Sequence, residues 1–400
     1  MYSELIQNLN SATSGKIYLD HASSTTLRSL PTAVLSELAQ NRLIADPSRI
    51  YMSAIAVRDL IEYSRAVTAD YFQASLRQIV FTSSASEAIN QAIFDSTQRS
   101  LPDGVVLVGK VEHSAVKRAA SEYGKIFKHK VVELQVDGYG RIDLDSLESI
   151  LKKFSSRNIK VALCAVQYAN HEIGSKQPIT EVSQLCTNYQ IPLLVDLANA
   201  ISNDILKLDD IDYTYLAVSG HKLGGPVGSG ALVIKKNHLL KPMIHGANQE
   251  LKRRGGLENL FAIAGLSAAI EEISNGDELK KELNNKSLHI QKITEALKSL
   301  NGIEFYGAEA DKLCSLVSFG IEGIQSGALT LQLDQMGVSI HSGSACSNEL
   351  TEPSYILEAI GKSEVSPIRI SVGWDTENQE IDVFLAKLNE AVAILSKYKR

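Results

Sequence analysis

The sequence is short of the features that would place it in several large classes. Four cysteines, at 164, 186, 314 and 346, are scattered without a Cys-x-x-Cys pair, so neither a disulfide framework nor a zinc knuckle organises the chain. Reduced thiols of this kind point to a cytoplasmic protein. No uninterrupted apolar run approaches the ~18 residues that suggest a membrane span, so we expect a soluble chain with no membrane partner. The opening stretch MYSELIQNLNSATSG lacks a basic start followed by an apolar core, and no secretory signal is expected. Basic residues are outnumbered, 40 Lys and Arg against 46 Asp and Glu for a net charge of −6. Without a basic excess to release counterions, nucleic acid is not an expected main partner. The local run LKRRGG at 251–256 is the exception. Internal repeats and low-complexity stretches are also missing.

What is present is ordinary globular material, 44% hydrophobic and 22% charged. Four hundred residues exceed one typical domain, so one large domain plus a smaller one is expected. Strand and helix signals alternate. QIVFT (78–82) leads into SASEAINQAIFDST, GVVLVG (104–109) into HSAVKRAASEYG, and KVALCAVQYAN (160–170) into TEVSQLCTNYQ. IPLLVDLANA (191–200), YTYLAVSG (213–220) and GALVIKK (230–236) are further buried-strand candidates. Continuous apolar runs separated by helices imply a mostly parallel sheet covered on both faces, an α/β domain over 27–262. Beyond it, 277–300 has helical spacing and LCSLVSFGI (313–321) and PIRISVGW (367–374) read as strands. Apolar residues at 381, 384, 385, 388, 392 and 395 define an amphipathic closing helix. Residues 1–26 and 263–400 are assigned to a smaller α+β domain.

Polar residues collect where the strands end, which is where open α/β sheets bind ligands. Asn170, Asp196, Ser219, His221 and Lys222 all follow apolar runs. In FTSSASEAIN a strand passes through small hydroxyl residues into a helix start, whose free N–H groups suit a phosphate. Taken singly, each has a plain structural explanation: an N-cap for the serines, a turn for Asp196, a solvated lysine in the Gly/Pro loop SGHKLGGPVGSG (219–230). Together they stand in the order one aldehyde cofactor needs. Pyridoxal 5′-phosphate uses a Schiff-base lysine, a carboxylate at its pyridine nitrogen and a helix-seated phosphate. One more segment stands out. SIHSGSACSN (339–348) puts Cys346 among residues too small and polar to pack it, whereas Cys164 in VALCAV, Cys186 and Cys314 sit in apolar patterns.

The chain resembles the cysteine desulfurases of the class V aminotransferase family, which share the fold-type-I pyridoxal-phosphate architecture. The resemblance spans nearly the whole chain, through YLDHASSTT (18–26), FTSSASEAIN, EHSAV (112–116), YANHEIGSKQP (168–178), LLVDLANA, SGHKLGGPVGSGAL, NQELKRRGGLEN (248–259), SGSACSNELTEPSYIL (342–357) and IRISVG (368–373).

The resemblance implies that Lys222 holds the cofactor and later moves a proton at the substrate Cα. It places Asp196 at the pyridine nitrogen, His113 over the ring, and Asn170 and Asn199 near the cofactor oxygen, with Asn170 also by the substrate carboxylate. Ala85, Ser86, Ser219 and His221 would meet the phosphate, and Arg369 the α-carboxylate of L-cysteine. No metal is expected. Cys346 matches the persulfide-forming cysteine, its proton taken by His113 and its loop able to swing. A homodimer and a protein sulfur acceptor are implied, serving iron-sulfur cluster assembly, tRNA thiolation or cofactor sulfuration. The chain departs from the family pattern at Asn199, where the family has Gln, and at Leu257, where it has a threonine that reaches the partner's phosphate. Ser84 and Ala247-Asn248 also replace glycines. The competing readings are a selenocysteine lyase or another class V β-lyase or aminotransferase, and a non-catalytic partner in sulfur relay.

Overall fold

The computed structural model describes residues 2–41, 45–307, 309–342, 354–362 and 367–397. Cys346 therefore lies outside the described residues.

Seven strands make the large sheet. In spatial order they are Ile79–Thr82, Gly230–Ile234, Tyr215–Ser219, Leu193–Asp196, Val161–Gln167, Val105–Gly109 and Lys130–Leu134. From Tyr215–Ser219 to Lys130–Leu134 every neighbouring pair is parallel, and only Gly230–Ile234 runs against both its neighbours. The apolar runs seen in the sequence are these strands. Because side chains alternate across a strand, each run supplies two cores. Leu107, Cys164, Leu193, Val195, Leu216 and Val218 face one side. Val106, Val108, Leu163, Leu194, Ala217 and Leu232 face the other, under the helices Ala85–Arg99 and Ser114–Phe127. The mostly parallel, two-sided α/β arrangement expected from the sequence is the one found.

The second sheet is antiparallel, in the order His341–Ser342, Ile368–Ser371, Leu316–Ile321, Ile303–Tyr306. The closing helix Asn378–Ser396 lays Ile381, Phe384 and Leu388 on its core, the period seen in the sequence. Ile17–Tyr18 pairs in parallel with Val338–Ser339, and Ile17 and Leu19 join the same core, so the chain's first strand belongs to the smaller unit.

Residues that follow 262 also contribute to the large core. The helix Leu260–Ser274 packs Ile263, Leu266, Ala269 and Ile270 into the large domain. The next helix, Gly276–Lys298, contributes Leu279 to the first core and Ile290, Ile293 and Leu297 to the second. Gly276–Lys298 thus joins the two cores. No described helix is long and apolar enough to cross a membrane.

Candidate active site

Strand ends of the large sheet and two strands of the small sheet line a cleft of about 280 Å³. Its floor is the end of Leu193–Asp196. Asp196 is buried there, one oxygen accepting from the Ala198 N–H at 2.9 Å. Burial pushes its carboxyl up, against the pull of the Ala198 N–H, His113 and Lys222.

Beside Asp196 the chain leaves Tyr215–Ser219 and enters a single helical turn, Gly220–Leu223, which carries His221 and Lys222. Two glycines make this turn possible. A side chain at Gly220 would collide with Ser229, and Gly224 closes the turn at φ +90 with Arg28 packed where a Cβ would stand. Lys222 and His221 both line the cleft. Burial, then the Lys222 charge, lowers His221 below its ordinary value.

The helix Ala85–Arg99 begins at the rim. Ser84 is its N-cap, accepting from the Glu87 N–H at 3.2 Å, and Ala85 and Ser86 open onto the cleft. Their size keeps the helix's free N–H groups accessible to an anion. Arg254 pairs with Glu87 at 3.0 Å and fixes that helical turn from outside.

His113 caps the helix Ser114–Phe127. Its Nδ1 accepts from the Ala115 N–H at 3.1 Å, so the neutral ring carries its hydrogen on Nε2 and faces the cleft as a donor. Burial, then Lys222, keeps it neutral by lowering its pKa. Behind it Glu112 is fully enclosed, both carboxyl oxygens buried without a partner among the described residues. Burial raises it well above the carboxylate range.

Of the residues singled out in the sequence, Ala85, Ser86, His113, Asp196, Asn199, Ser219, His221, Lys222 and Arg369 line this one cleft. Asn199 presents a buried Oδ1 with no partner among the described residues. Asn170 does not line it. Its Oδ1 accepts from the N–H groups of Glu172 and Ile173, at 2.8 and 3.0 Å, and its Nδ2 donates to the Val111 carbonyl. Asn170 thus pins a turn beside the cleft. The turn hands the cleft to its neighbours His171 and Glu172. Burial lifts Glu172 to about 7, with Ser354 donating to it. Sequence reading also passed over His341 and Asp20. Their only signal was position: His341 just before SGSAC, and Asp20 in the YLDH stretch.

Comparisons with known proteins bear on the family and the fold. The family model Aminotransferase class-V matches residues 17–384. The cysteine desulfurase IscS of Dictyoglomus turgidum is 30% identical over 393 residues, covering 96% of this chain and 97% of its own. A NifS-like protein from Rickettsia africae has the same fold, with a TM-score of 0.83 at 23% identity over 94% of this chain and 99% of that one. SspA in complex with cysteine, 27% identical, matches with a TM-score of 0.74 over 89% of this chain and 98% of that one.

Proposed function

The chain belongs to the class V aminotransferases, and from that premise we propose that it is a cysteine desulfurase, converting L-cysteine to L-alanine and holding the sulfur as a persulfide for a protein acceptor. One observation carries the reading. Lys222, Asp196 and the start of the helix Ala85–Arg99 face Arg369 of the small domain across a single cleft.

The residues suit pyridoxal 5′-phosphate. A buried acid, a lysine on a tight turn, a helix start with small side chains and the orphaned Oδ1 of Asn199 are the donor and acceptor set that cofactor requires. Ser86, Ser219, His221 and the N–H groups at 85 and 86 would hold its phosphate, Asp196 its ring nitrogen and Lys222 its aldehyde carbon. Bound there, the cofactor supplies a sink for the electrons left at the substrate Cα.

The chain's own groups do the rest. Arg369 receives the substrate carboxylate. Lys222 moves the proton at Cα. His113, with Nδ1 holding the helix cap, offers the cleft a hydrogen-bond donor, so it takes a proton from a thiol only by releasing that cap. The thiol of Cys346 takes the substrate sulfur. Cys346–SH and L-cysteine give Cys346–S–SH and L-alanine, balanced without an outside oxidant.

The same reading includes a homodimer. Val227, Leu251 and Leu257 are 81%, 61% and 60% exposed, and each adjoins a residue (Gly228, Glu250, Gly256) that lines one shallow surface hollow. Three exposed apolar side chains next in sequence to residues of one hollow fit the face of a second copy. The free thiols of Cys164, Cys186 and Cys314 fit a reducing, cytoplasmic setting.

The deciding experiment is Lys222→Ala. The wild-type protein with cofactor absorbs visible light and releases alanine from L-cysteine, whereas the variant does neither. A coloured, active Lys222→Ala protein overturns the reading.

A further inference from the structure

We infer that Arg28 and Glu282 are positioning residues for Lys222: together they hold the turn Gly220–Leu223 from outside and so fix where the lysine amine stands in the cleft. The inference rests on the reading above in taking Lys222 as the group that holds the cofactor.

A single helical turn does not keep its shape unaided, because it closes too few hydrogen bonds to offset the backbone order it demands. In this one the Gly220 carbonyl is met from within, by the N–H groups of Gly224 and Gly225. The next four carbonyls are met from elsewhere. The Thr25 N–H donates to His221 at 2.9 Å, Ser202 Oγ to Lys222 at 3.3 Å, and Arg28 Nε to Leu223 at 2.8 Å. The Arg28 N–H then donates to Gly224 at 2.9 Å. All but the Ser202 hydroxyl come from the short stretch 25–28.

One carboxylate organises this support. Arg28 is buried, and its Nη1 and Nη2 donate to the two oxygens of Glu282 at 2.9 and 2.8 Å. That fork fixes the guanidinium plane, and with it the direction in which Nε points at Leu223. Lys286 also pairs with Glu282, at 2.7 Å, and donates to the Ser202 carbonyl at 2.9 Å. Glu282 therefore reaches the turn by two arms, through Arg28 to Leu223 and Gly224, and through Lys286 and Ser202 to Lys222. Glu272 stands farther from Arg28, at 3.6 Å, and accepts from the Leu30 N–H instead.

The same stretch of chain is bonded to the other wall of the cleft. Asp20 and Ser23 accept from Arg369 Nη2 at 2.6 and 2.7 Å, and the Ala22 N–H donates to Ser371 Oγ at 2.9 Å. Residues 20–28 are thus a strap of fixed length between the strand bearing Arg369 and the turn bearing Lys222. Glu282 lies on Gly276–Lys298, the helix that joins the two cores. An ion pair that served stability alone would need none of the bonds to the carbonyls of this turn.

The test uses the full chain with Arg28→Lys and, separately, Glu282→Gln. Lysine keeps a cation beside Glu282 without the planar fork, and glutamine keeps the size of Glu282 while weakening both arms. Each protein is mixed with pyridoxal 5′-phosphate and the visible absorbance is followed in time. Attachment to Lys222 and kcat for L-cysteine per coloured molecule should each fall about tenfold, with KM within about twofold of the wild type. Deuterium at the Cα of L-cysteine should slow the variants more than the wild type, because Lys222 moves that proton. Circular dichroism reports the fold, and if one variant fails to fold the other carries the test. Variants that only unfold more easily, with attachment rate and kcat per coloured molecule unchanged, overturn the inference. A wild-type protein that colours but makes no alanine would end the desulfurase reading, while the attachment rate would still decide the role of Arg28 and Glu282.

Discussion

Arg65 and Glu250 face each other through two hydrogen bonds of 2.8 and 2.7 Å, with both side chains buried. Glu250 also accepts from the Phe81 N–H at 3.0 Å, and Arg65 donates to the Ile79 carbonyl at 3.1 Å. The pair thus ties the helix Met52–Tyr71 to the edge strand Ile79–Thr82 and to a turn. In that turn Glu250, Leu251 and Lys252 have φ of +46, +57 and +65. Three successive non-glycine residues in the left-handed region are strained and persist only where their surroundings hold them.

Glu250→Ala should therefore be costly. It leaves the buried Arg65 with only the half-exposed Glu62 as a carboxylate partner, and the Phe81 N–H without an acceptor. Removing one member of a buried pair costs about 3–5 kcal/mol. Replacing both, as Arg65→Met with Glu250→Met, should cost less than Glu250→Ala alone, because no buried charge is stranded. Denaturant titration checks this. A loss below about 1 kcal/mol in Glu250→Ala would remove the pair from the account of what holds this turn.

Much of this molecule was legible in its sequence, for identifiable reasons. Parallel strands buried on both faces must be apolar throughout, so VVLV and LLV announce themselves, and Asp196 and Lys222 stand out as the first polar residues after such runs. Asn170 and His171 could not be told apart in this way. Which of two neighbours enters the cleft depends on the Asn170 amide catching the N–H groups of Glu172 and Ile173, a matter of turn geometry. The contacts of Arg369 were hidden for another reason. Asp20 lies 349 residues away, and the register with His341 is set by sheet pairing, which no local pattern records. Gly276–Lys298 reads as one continuous amphipathic helix although its two ends serve different cores, which no local pattern records.

The proposed homodimer gives the next expectation. Light scattering should return twice the chain mass. Val227→Asp and Leu257→Asp each put a charge on the exposed apolar face, and each should raise the dimer dissociation constant about tenfold or more. Their circular dichroism should not change, since both side chains are largely exposed. Leu257→Thr supplies the hydroxyl that family members place here, and should tighten cofactor binding while the dimer persists. A wild-type protein that stays monomeric and active, or a dimer indifferent to both aspartates, removes this face from the interface.

Cys346 separates desulfuration from the other chemistry open to the same cleft. Cys346→Ala leaves Lys222, Asp196 and the helix start at 85–86 untouched, so the variant should bind the cofactor with unchanged absorbance. It should also bind L-alanine as the wild type does, because the carboxylate seat proposed at Arg369 is untouched. Only transfer of sulfur should fail, since alanine offers no nucleophile. Wild-type enzyme given L-cysteine without a reductant should gain one sulfur atom on the peptide containing Cys346, and a small thiol should remove it. Peptide mass spectrometry reads both results. Burial argues against the other thiols as carriers: Cys164 and Cys186 are enclosed in the large core, and the Cys164 thiol is pushed well up by its contact with Cys186 and by burial. Extra sulfur on Cys164, Cys186 or Cys314, or undiminished alanine production by Cys346→Ala, would reject the persulfide route and favour a lyase in which this cysteine is dispensable.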